Sequence, residues 1–392
     1  MATTTHGYLL IADITGYTQY LTESELEHAQ EVLTVLLELL VARTRPPLII
    51  SRLAGDAVIS YGLRDNFLHG QTFIEVIEDC YTAFRAAVER MVLNNTCQCN
   101  ACRNIPNLDL KFFVHYGAFA IQRIRDRDEL VGSDVNLIHR LLKNRVVEQT
   151  GFKAYTLYTD AAIQQLGLTE ISAAMTEHAE SYEHLGQVKL WVQDMHPVWE
   201  RKRSASRVTI PPDQVLMALT EDFALPPEQV WDYLTQPEYR STLMHAHRTE
   251  VAGLSNGRIG PGSIYQCYHG DKPTPQTILE WQPFERMITQ DIIPMPIPNV
   301  SALIEYRLEP IPTGTRFSQI FSKARGPLLG RLLCNFVMKR MGRQGLVDIR
   351  AFRDRIQADF SARQALPENS PAFDAAAFTQ AASESLHPSH DH

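Results

Sequence analysis

Two aspartates in apolar surroundings are the residues of this sequence best suited to chemistry. Asp13 interrupts the apolar run 9–17, which then turns at a glycine, and Asp56 lies between the two apolar runs of segment 49–59. A buried strand has no structural use for a carboxylate, and the Gly55-Asp56 step between β-like runs predicts a hairpin. If the first strand lies beside that hairpin, the two carboxylates meet at one sheet edge and repel each other unless a cation lies between them.

The chemistry that this pair favours is binding of two divalent metal ions. Hard oxygen ligands suit Mg²⁺ or Mn²⁺, so we expect one of these metals. The alternative is structural, because a lone aspartate at a strand end is more often a turn residue or a helix cap. Two aspartates, each set in an apolar strand, favour the metal site.

Asn136 and Arg140 form a second candidate pair. They are four residues apart in the predicted helix 134–147, so their side chains project from one face, one turn from each other. The glycine before this helix permits close backbone approach. An amide can fix a ribose and a guanidinium can take phosphoryl charge, which would stabilise a transition state. The alternative is an exposed polar stripe.

A third candidate site is a cysteine cluster, Cys97-Gln-Cys99-Asn-Ala-Cys102. Three thiolates at this spacing can bind Zn²⁺ in a structural role if a fourth ligand completes the site. The fourth ligand would be one of Cys80, His69 and His115. A plain reduced turn is the alternative.

The composition limits the class of protein. The chain has 392 residues with 44% hydrophobic content, which predicts a globular protein of two or three domains. A net charge of -8, a pI near 6.0 and the lack of a long Lys/Arg run argue against a nucleic-acid partner and favour a small-molecule substrate. We find no signal peptide and no apolar run that could span a bilayer. Six cysteines are too few for a secreted disulfide scaffold, so we expect a cytoplasmic protein with reduced thiols.

The elements that would position the first candidates are strands alternating with helices. A capping box over 22–25 predicts the start of a helix that ends before Pro46-Pro47. The hairpin follows. The remaining predicted elements are helix 71–92, strand 110–121, helix 134–147 and strands 155–158, 182–184 and 188–193. This order favours an α+β fold of ferredoxin-like layers with a mainly antiparallel sheet.

A second pattern starts after a charged stretch. Residues 197–214 predict a linker because they are charged or small and end in a proline pair. A strand at 215–224, a short helix after Pro226-Pro227 and further strands to about residue 322 follow. The glycine-rich segment 257–262 predicts a turn between strands rather than a phosphate loop. The last helix, 328–360, has an apolar face made of Leu332, Phe336, Ile349, Phe352, Ile356 and Phe360. Residues 361–392 predict a disordered tail.

Three segments together resemble the signature segments of class III adenylate/guanylate cyclases, in the same order. They are Ile11-Ala-Asp13-Ile-Thr-Gly16-Tyr-Thr, Leu53-Ala-Gly55-Asp56-Ala-Val and Gly132-x-x-Val-Asn136-x-x-x-Arg140. The resemblance covers residues 5–195. The cysteine cluster is similar to an insert in an uncharacterised bacterial group of such cyclase-like proteins. The predicted domain is 1–196.

The resemblance implies roles for these residues. Asp13 and Asp56 would hold two metal ions with help from the Ile14 carbonyl, while Asn136 and Arg140 would orient the ribose and meet the charge on the α-phosphate. The ribose 3′-hydroxyl would attack the α-phosphate in line and pyrophosphate would leave. In this family the aspartates and the Asn/Arg pair of one site come from different subunits, which implies a homodimer.

The substrate purine is left open by the residues at the base-selecting positions. These are Arg52 and Glu129, where the family has a Lys/Asp pair for ATP or a Glu/Cys pair for GTP; ATP is favoured. The closing hairpin is short, and Lys143 or Lys189 would replace the family's triphosphate-binding lysine. A silent domain that binds nucleotide without turnover is the alternative.

Residues 215–360 resemble the START-like (SRPBCC, polyketide cyclase-like) helix-grip superfamily through the segment 223–237, its opening strand and helix. This resemblance implies a curved antiparallel sheet around a long C-terminal helix, with an apolar small-molecule ligand between them. Combined, the two resemblances imply a nucleotide cyclase that forms a 3′,5′-cyclic nucleotide, cAMP rather than cGMP, regulated by an apolar-ligand domain. The alternative is a hydrophobic-ligand carrier that dimerises through its cyclase-like half.

Overall fold

The first half of the chain is built on one mixed sheet in the computed structural model, which describes residues 4–63, 70–94, 97, 99–124, 127–183, 185–205, 207–270, 273–294, 296–297 and 300–365. Its strands are β1 (Thr4–Thr15), β2 (Ile49–Ala54), β3 (Ala57–Leu63), β4 (Asp109–Ile124), β5 (Arg127–Val131), β6 (Tyr155–Thr159), β7 (Thr176–Tyr182) and β8 (Gly186–Asp194). They lie in the order β2-β3-β1-β4-β6-β8-β7, and β5 pairs with β4. β1 is antiparallel to β3 and β4, whereas β4 and β6 are parallel.

Helices cover this sheet. They are α1 (Tyr17–Thr22), α2 (Leu26–Arg43), α3 (Gly70–Asn94), α4 (Asn100–Asn104), α5 (Ser133–Leu141), α6 (Val146–Thr150), α7 (Asp160–Gln165), α8 (Thr169–Ser172) and α9 (His196–Ser204). The predicted α+β fold is therefore confirmed. The predicted strand 182–184 is misplaced, because β7 ends at Tyr182 and His184 lies outside the described residues.

The central strand β1 contributes to two cores. Successive side chains of a strand point to opposite faces. Leu10 and Ile14 pack on one face in the core that α2 and α3 close, whereas Leu9 and Ile11 pack on the other face with α5. Because both faces are covered, the strand is apolar at almost every position. Asp13 follows Leu9 and Ile11 in the alternation of side chains and therefore lies on the α5 face.

The predicted capping box at the start of α2 is wrong. Glu25 is itself the N-cap residue and makes no side-chain cap. The hydroxyl of Thr22 instead donates to the carbonyl of Thr18 at 3.1 Å. The Glu25 carboxylate accepts the backbone N–H groups of Asn100 and Ala101, at 3.3 and 3.0 Å, and so binds a different helix.

The predicted helix 134–147 is two helices, α5 and α6. Asn144 separates them: its amide donates to the Leu141 carbonyl at 2.7 Å, and its side-chain oxygen accepts the Val146 N–H at 2.9 Å. The same oxygen accepts the Tyr155 hydroxyl at 2.9 Å. An asparagine that satisfies both the end of one helix and the start of the next stabilises a break.

The first part of the predicted linker 197–214 belongs to α9, which spans His196–Ser204. Pro197 occupies the first turn, and Arg201, Lys202 and Arg203 occupy the last turn, where basic side chains favour the helix dipole. The charged run that predicted a linker therefore forms the end of a helix.

The second half is a curved antiparallel sheet with a long C-terminal helix. Its strands are β9 (Val215–Phe223), β10 (Arg248–Ala252), β11 (Ile264–Tyr268), β12 (Pro273–Gln282), β13 (Arg286–Ile292), β14 (Ser301–Ile311) and β15 (Gly314–Ser322), in the order β10-β11-β12-β13-β14-β15-β9. Its helices are α10 (Pro227–Thr235), α11 (Pro237–Leu243) and α12 (Leu328–Ala365). This helix-grip architecture confirms the predicted fold of the second domain. The glycine-rich segment 257–262 joins β10 to β11 and is a turn, as predicted.

The long helix α12 is buried on only one of its faces. Ile349, Phe352 and Ile356 are buried, and the Phe352 ring lies 6.0 Å from that of Phe223. Leu332 and Phe336, which the sequence predicted on the same apolar face, do not pack with these residues, because they are 60% and 65% exposed. The helix continues to Ala365, past the predicted boundary at 360, and the rest of the predicted tail lies outside the described residues.

The interior of the second domain contains a buried charge. Arg240 is 0% exposed, and its guanidinium lies between the rings of Tyr265 and Tyr306, 4.3 and 4.6 Å from their centroids. It donates to Gln276 at 2.9 Å and to the Tyr306 hydroxyl at 3.0 Å. Gln276 in turn donates to Asp291 at 2.6 Å. A polar network therefore occupies part of the space between the sheet and its helices.

The two domains meet along α3. Glu75 on this helix accepts the indole N–H groups of Trp231 and Trp281, at 2.9 and 2.8 Å. One turn further, Glu78 binds Arg258 of the β10–β11 turn through two hydrogen bonds of 2.8 Å. The interface is thus made of buried charged and indole groups. Among the described residues, no helix combines the length and apolar content that a membrane crossing requires.

Candidate functional site

The two predicted metal-binding aspartates lie side by side at one end of the first sheet. Asp13 pairs in register with Ala57, the residue after Asp56, and the Ile14 N–H donates to the Asp56 carbonyl at 3.2 Å. Gly55, with φ of 66°, makes the hairpin turn that puts Asp56 there. Both carboxylates are partly exposed.

The pKa values of both aspartates are shifted by their surroundings. Burial and the neighbouring Asp56 carboxylate raise the pKa of Asp13 to about 6, against the opposing charge of Lys111. Burial also raises the pKa of Asp56. Neighbouring carboxylates with raised pKa values are uncompensated acceptors, so a hard divalent cation fits this donor set. The buried Thr15 hydroxyl, two residues on, has no hydrogen-bond partner among the described residues.

Lys111 is a site residue that the sequence reasoning missed. It lies opposite Asp13 in the β1–β4 register, and its ammonium is 5.2 Å from the centroid of the Tyr155 ring. Burial lowers its pKa, against the pull of Asp13 and Asp109. The signal was available in the sequence, because Lys111 interrupts an apolar strand as Asp13 does.

The base-selecting candidates also come together. Arg52 on β2 donates to Glu129 on β5 at 2.9 Å, and both side chains are partly exposed. An exposed ion pair of this kind adds little stability. It is instead free to exchange its partner for a ligand that offers both a donor and an acceptor.

Asn136 and Arg140 are both exposed on α5. The start of the helix is held by Asp134, which accepts the Ala118 N–H at 2.7 Å and lies 3.3 Å from His115. Gly132 is required there, because a Cβ would come within 2.9 Å of the Ala118 carbonyl oxygen. Within one chain, the charges that shift the pKa of Asp13 are Asp56 and Lys111, and Arg140 is not among them.

The two lysines predicted near a triphosphate differ in their surroundings. Lys143 is exposed just after α5. Lys189 is on β8, 3.6 Å from Glu177 and 4.7 Å from the Trp191 ring centroid. In the sheet, β4 and β6 separate β8 from β1. Lys189 therefore lies three strands away from Asp13 in the sheet.

The cysteine cluster assembles with a residue that the sequence reasoning did not consider. The side chains of Cys97, Cys99, Cys102 and His28 bring their ligand atoms within 4.8 Å of one another. The predicted fourth ligands are wrong in the two cases that the structure describes: Cys80 is buried on α3, and His115 is hydrogen-bonded to Thr159. The third, His69, lies outside the described residues.

Two protein families match parts of the chain. Residues 33–150 match a family described as a protein of unknown function (DUF2652). Residues 207–351 match a family described as polyketide cyclase / dehydrase and lipid transport, in agreement with the helix-grip fold of that half. An uncharacterized protein of Mycobacterium tuberculosis is 32% identical over 119 residues, which are 29% of this chain and 54% of that protein. The chain thus spans about half the length of the curated relative that it matches.

Solved structures similar to about half of the chain include nucleotide cyclases. The guanylyl cyclase Cya2 has 14% identity and a TM-score of 0.39, with 49% of this chain and 92% of that chain covered. The adenylyl cyclase CyaB from P. aeruginosa has 12% identity and a TM-score of 0.37, with 49% of this chain and 95% of that chain covered.

Proposed function

We propose that the protein is a nucleotide cyclase that converts a purine nucleoside triphosphate to a 3′,5′-cyclic nucleotide and pyrophosphate. The observation that carries this proposal is the placement of Asp13 and Asp56 at adjacent strand ends, with Asp13 held at a pKa of about 6 by burial and by its neighbour. Two carboxylates in this arrangement have little structural value. They are suited to hold divalent cations next to a phosphate chain.

The cations would be two Mg²⁺ or Mn²⁺ ions, which favour the alkoxide form of the ribose hydroxyl and neutralise the departing pyrophosphate when bound. In the reaction, a bond forms between the 3′-oxygen and the α-phosphorus while the bond from that phosphorus to the β-phosphate bridging oxygen breaks. The 3′-hydroxyl proton passes to solvent. Asp13, Asp56 and the Ile14 carbonyl would hold the cations, and Lys111 beside Asp13 would supply a further positive charge.

The base would be read by Arg52 and Glu129. Adenine presents an acceptor nitrogen next to an amine donor, which matches a guanidinium donor beside a carboxylate acceptor. Arg52 and Glu129 also keep the charge signs of the Lys/Asp pair that the resemblance associates with ATP. We therefore favour ATP and cAMP over GTP and cGMP.

The complete site requires a homodimer. Asn136 and Arg140 are exposed on α5 and have the freedom to meet the ribose and α-phosphate held by the aspartates of a second copy. An exposed amide and guanidinium one turn apart can stabilise charge that develops on a phosphoryl group. Lys143, exposed after the same helix, is available to the triphosphate.

The second domain would regulate this dimer. Its α10 and its β10–β11 turn contact α3, which packs against the β1 core on the face opposite Asp13. An apolar ligand, the occupant that the helix-grip resemblance implies, would enter between the sheet and α12. It would have to share that space with the Arg240 network.

The experiment is product analysis with matched variants. Purified protein with ATP or GTP and Mn²⁺ should yield pyrophosphate and a cyclic nucleotide, identified by mass spectrometry. Asp13→Asn and Arg140→Ala should each abolish the product. Because the two residues would act in one composite site, an equal mixture of the two variants should recover about a quarter of the wild-type rate through mixed dimers.

Two outcomes would contradict parts of this proposal. Nucleotide binding by a folded wild-type protein without turnover would support a silent nucleotide sensor. If mixing the two variants does not change the activity that each shows alone, the shared site is refuted.

A further inference from the structure

The cysteine cluster has the geometry of a closed metal site. The His28 Nδ1 lies 3.3 Å from the Cys99 Sγ and 3.9 Å from the Cys97 Sγ, and the Cys102 Sγ lies within 4.8 Å of all three. A tetrahedral zinc ion with Zn–S bonds of about 2.3 Å and Zn–N bonds of about 2.0 Å would separate its ligand atoms by about 3.5 to 3.8 Å. The four side chains are thus close to that spacing.

The local backbone favours this arrangement. Cys99 is the N-cap residue of α4, and its sulfur accepts the Cys102 N–H at 3.4 Å. A sulfur that accepts backbone N–H groups is stabilised as a thiolate, the form that binds metal. The short helix α4 also returns Cys102 to the same side as Cys99, so three cysteines within six residues converge.

The fourth ligand is provided by a separate element. Glu25 accepts the N–H groups of Asn100 and Ala101, which docks α4 on the start of α2. His28 lies three residues after Glu25, on the same face of α2, and therefore points at the cysteines. Cys97 and His28 are exposed, so the site is open to metal from solvent.

A buried hydroxyl lies near this cluster. Tyr20 on α1 is 3% exposed, and its hydroxyl has no hydrogen-bond partner among the described residues. Its electrostatic neighbours include Cys102 and Cys99.

We propose that His28, Cys97, Cys99 and Cys102 bind one zinc ion in a closed Cys₃His site. With four protein ligands the site has no open position for substrate, so its role is structural. Binding exchanges thiol protons for the metal and joins α2 to the segment between α3 and β4. That segment contacts the end of β1, because a Cβ on Gly16 would lie 3.2 Å from the Asn107 carbonyl oxygen. The zinc ion thereby braces the turn that follows Asp13, and this proposal stands whether or not the protein is a cyclase.

The test measures metal in the full-length protein purified without chelators. Elemental analysis should give about one zinc ion per chain. Replacement of zinc by Co²⁺ should give the visible absorption of a tetrahedral cobalt–thiolate site. His28→Ala and Cys99→Ser should lose zinc to a mild chelator that leaves the wild type loaded. The control variants His247→Ala and Cys334→Ala, whose residues lie in the second domain, should retain it.

Three results would overturn the proposal. The first is folded wild-type protein that contains no zinc and gives no cobalt–thiolate spectrum after reconstitution. The second is zinc that His28→Ala and Cys99→Ser retain as well as the controls do, since the ion would then lie elsewhere. The third is a disulfide between two of the three cysteines in freshly purified protein, found by mass spectrometry. If a variant fails to fold, the metal content and the cobalt spectrum of the wild type still show whether the protein has a zinc–thiolate site.

Discussion

Replacing Arg258 by alanine should weaken the contact between the two domains by about 3 kcal/mol. Arg258 donates to both oxygens of Glu78 at 2.8 Å, and the two side chains are only 22% and 15% exposed. Truncation would leave the Glu78 carboxylate buried, with the Gln193 amide at 2.7 Å still bound to it. Breaking a buried pair costs about 3 to 5 kcal/mol, and the remaining hydrogen bond places this case at the lower end. That value corresponds to about a 150-fold change in an equilibrium constant.

A matched control exists in the same chain. Arg316 donates to both oxygens of Asp222 at 2.9 and 3.0 Å, almost the same geometry, but the two side chains are 48% and 47% exposed. Because water screens an exposed pair, Arg316→Ala should leave the unfolding midpoint within error of the wild type. The difference between the unfolding midpoints of Arg258→Ala and Arg316→Ala therefore measures the effect of burial on the strength of the ion pair.

The assay is urea unfolding followed by tryptophan fluorescence. Trp231 and Trp281 lie 4.8 Å apart at the domain contact, and both donate to Glu75, so their emission reports the opening of this interface. Equal shifts for Arg258→Ala and Arg316→Ala would refute the argument that burial makes this pair important. In the double variant Glu78→Gln with Arg258→Ala the unpaired charge is removed. A partial recovery of its unfolding midpoint would support the argument from burial.

The pH dependence of this effect has a definite sign. Burial pushes the pKa of Glu78 up, but the Arg258 charge and hydrogen bonds outweigh it, so the pKa lies below the ordinary value of 4.5. The pair therefore stabilises the protein above pH 4.5, and that stability is lost as the pH falls through the lowered pKa. Without Arg258, burial raises the pKa of Glu78 against only the Gln193 hydrogen bond and the Arg201 charge, and protonation relieves the unpaired charge. The deficit of Arg258→Ala should be largest at neutral pH and smaller near pH 4.5.

Three further predictions concern the site and the second core. Because only the ionised Asp13 binds a cation and its pKa is raised to about 6, Mn²⁺ affinity measured by calorimetry should fall as the pH drops through 6, and a flat profile would contradict this. Arg52→Ala should unpair Glu129 and reduce the preference between ATP and GTP in competitive binding, whereas unchanged selectivity would exclude that pair as the base reader. Phe352→Ala should cost about 3 to 5 kcal/mol of unfolding free energy because this ring is fully buried, whereas Phe336→Ala, at a 65% exposed position, should cost far less; similar losses in urea titrations would contradict the burial pattern.

Much of the first domain could be predicted from the sequence because its key features are local. The Gly55-Asp56 turn sets the hairpin register within a few residues, and an antiparallel neighbour then puts Asp13 at the same sheet edge. The break at Asn144 was missed, since helical periodicity continues across it. It depends on the Tyr155 hydroxyl, which reaches Asn144 from another strand.

The zinc candidate shows where sequence reasoning stops. The three cysteines lie within six residues, so their spacing alone indicates a possible metal site. His28 is 71 residues from Cys99 and reaches it only because Glu25 docks α4 on α2. No local pattern distinguishes His28 from other surface histidines.

The sequence by itself determined the order of most elements and the pairing of Asp13 with Asp56, because backbone periodicity and turn residues act over a few positions. The helix-grip fold of the second half was implied by the resemblance of segment 223–237 to a known superfamily. Only the tertiary structure decided which distant groups meet. Lys111 beside Asp13, His28 among the cysteines and Arg258 on Glu78 all depend on contacts between elements far apart in the chain. It also decided that Phe352 is buried and Phe336 exposed on the same helix, because only one face of that helix packs on the domain, with Cys334 and Met338 on the packed face near Phe336.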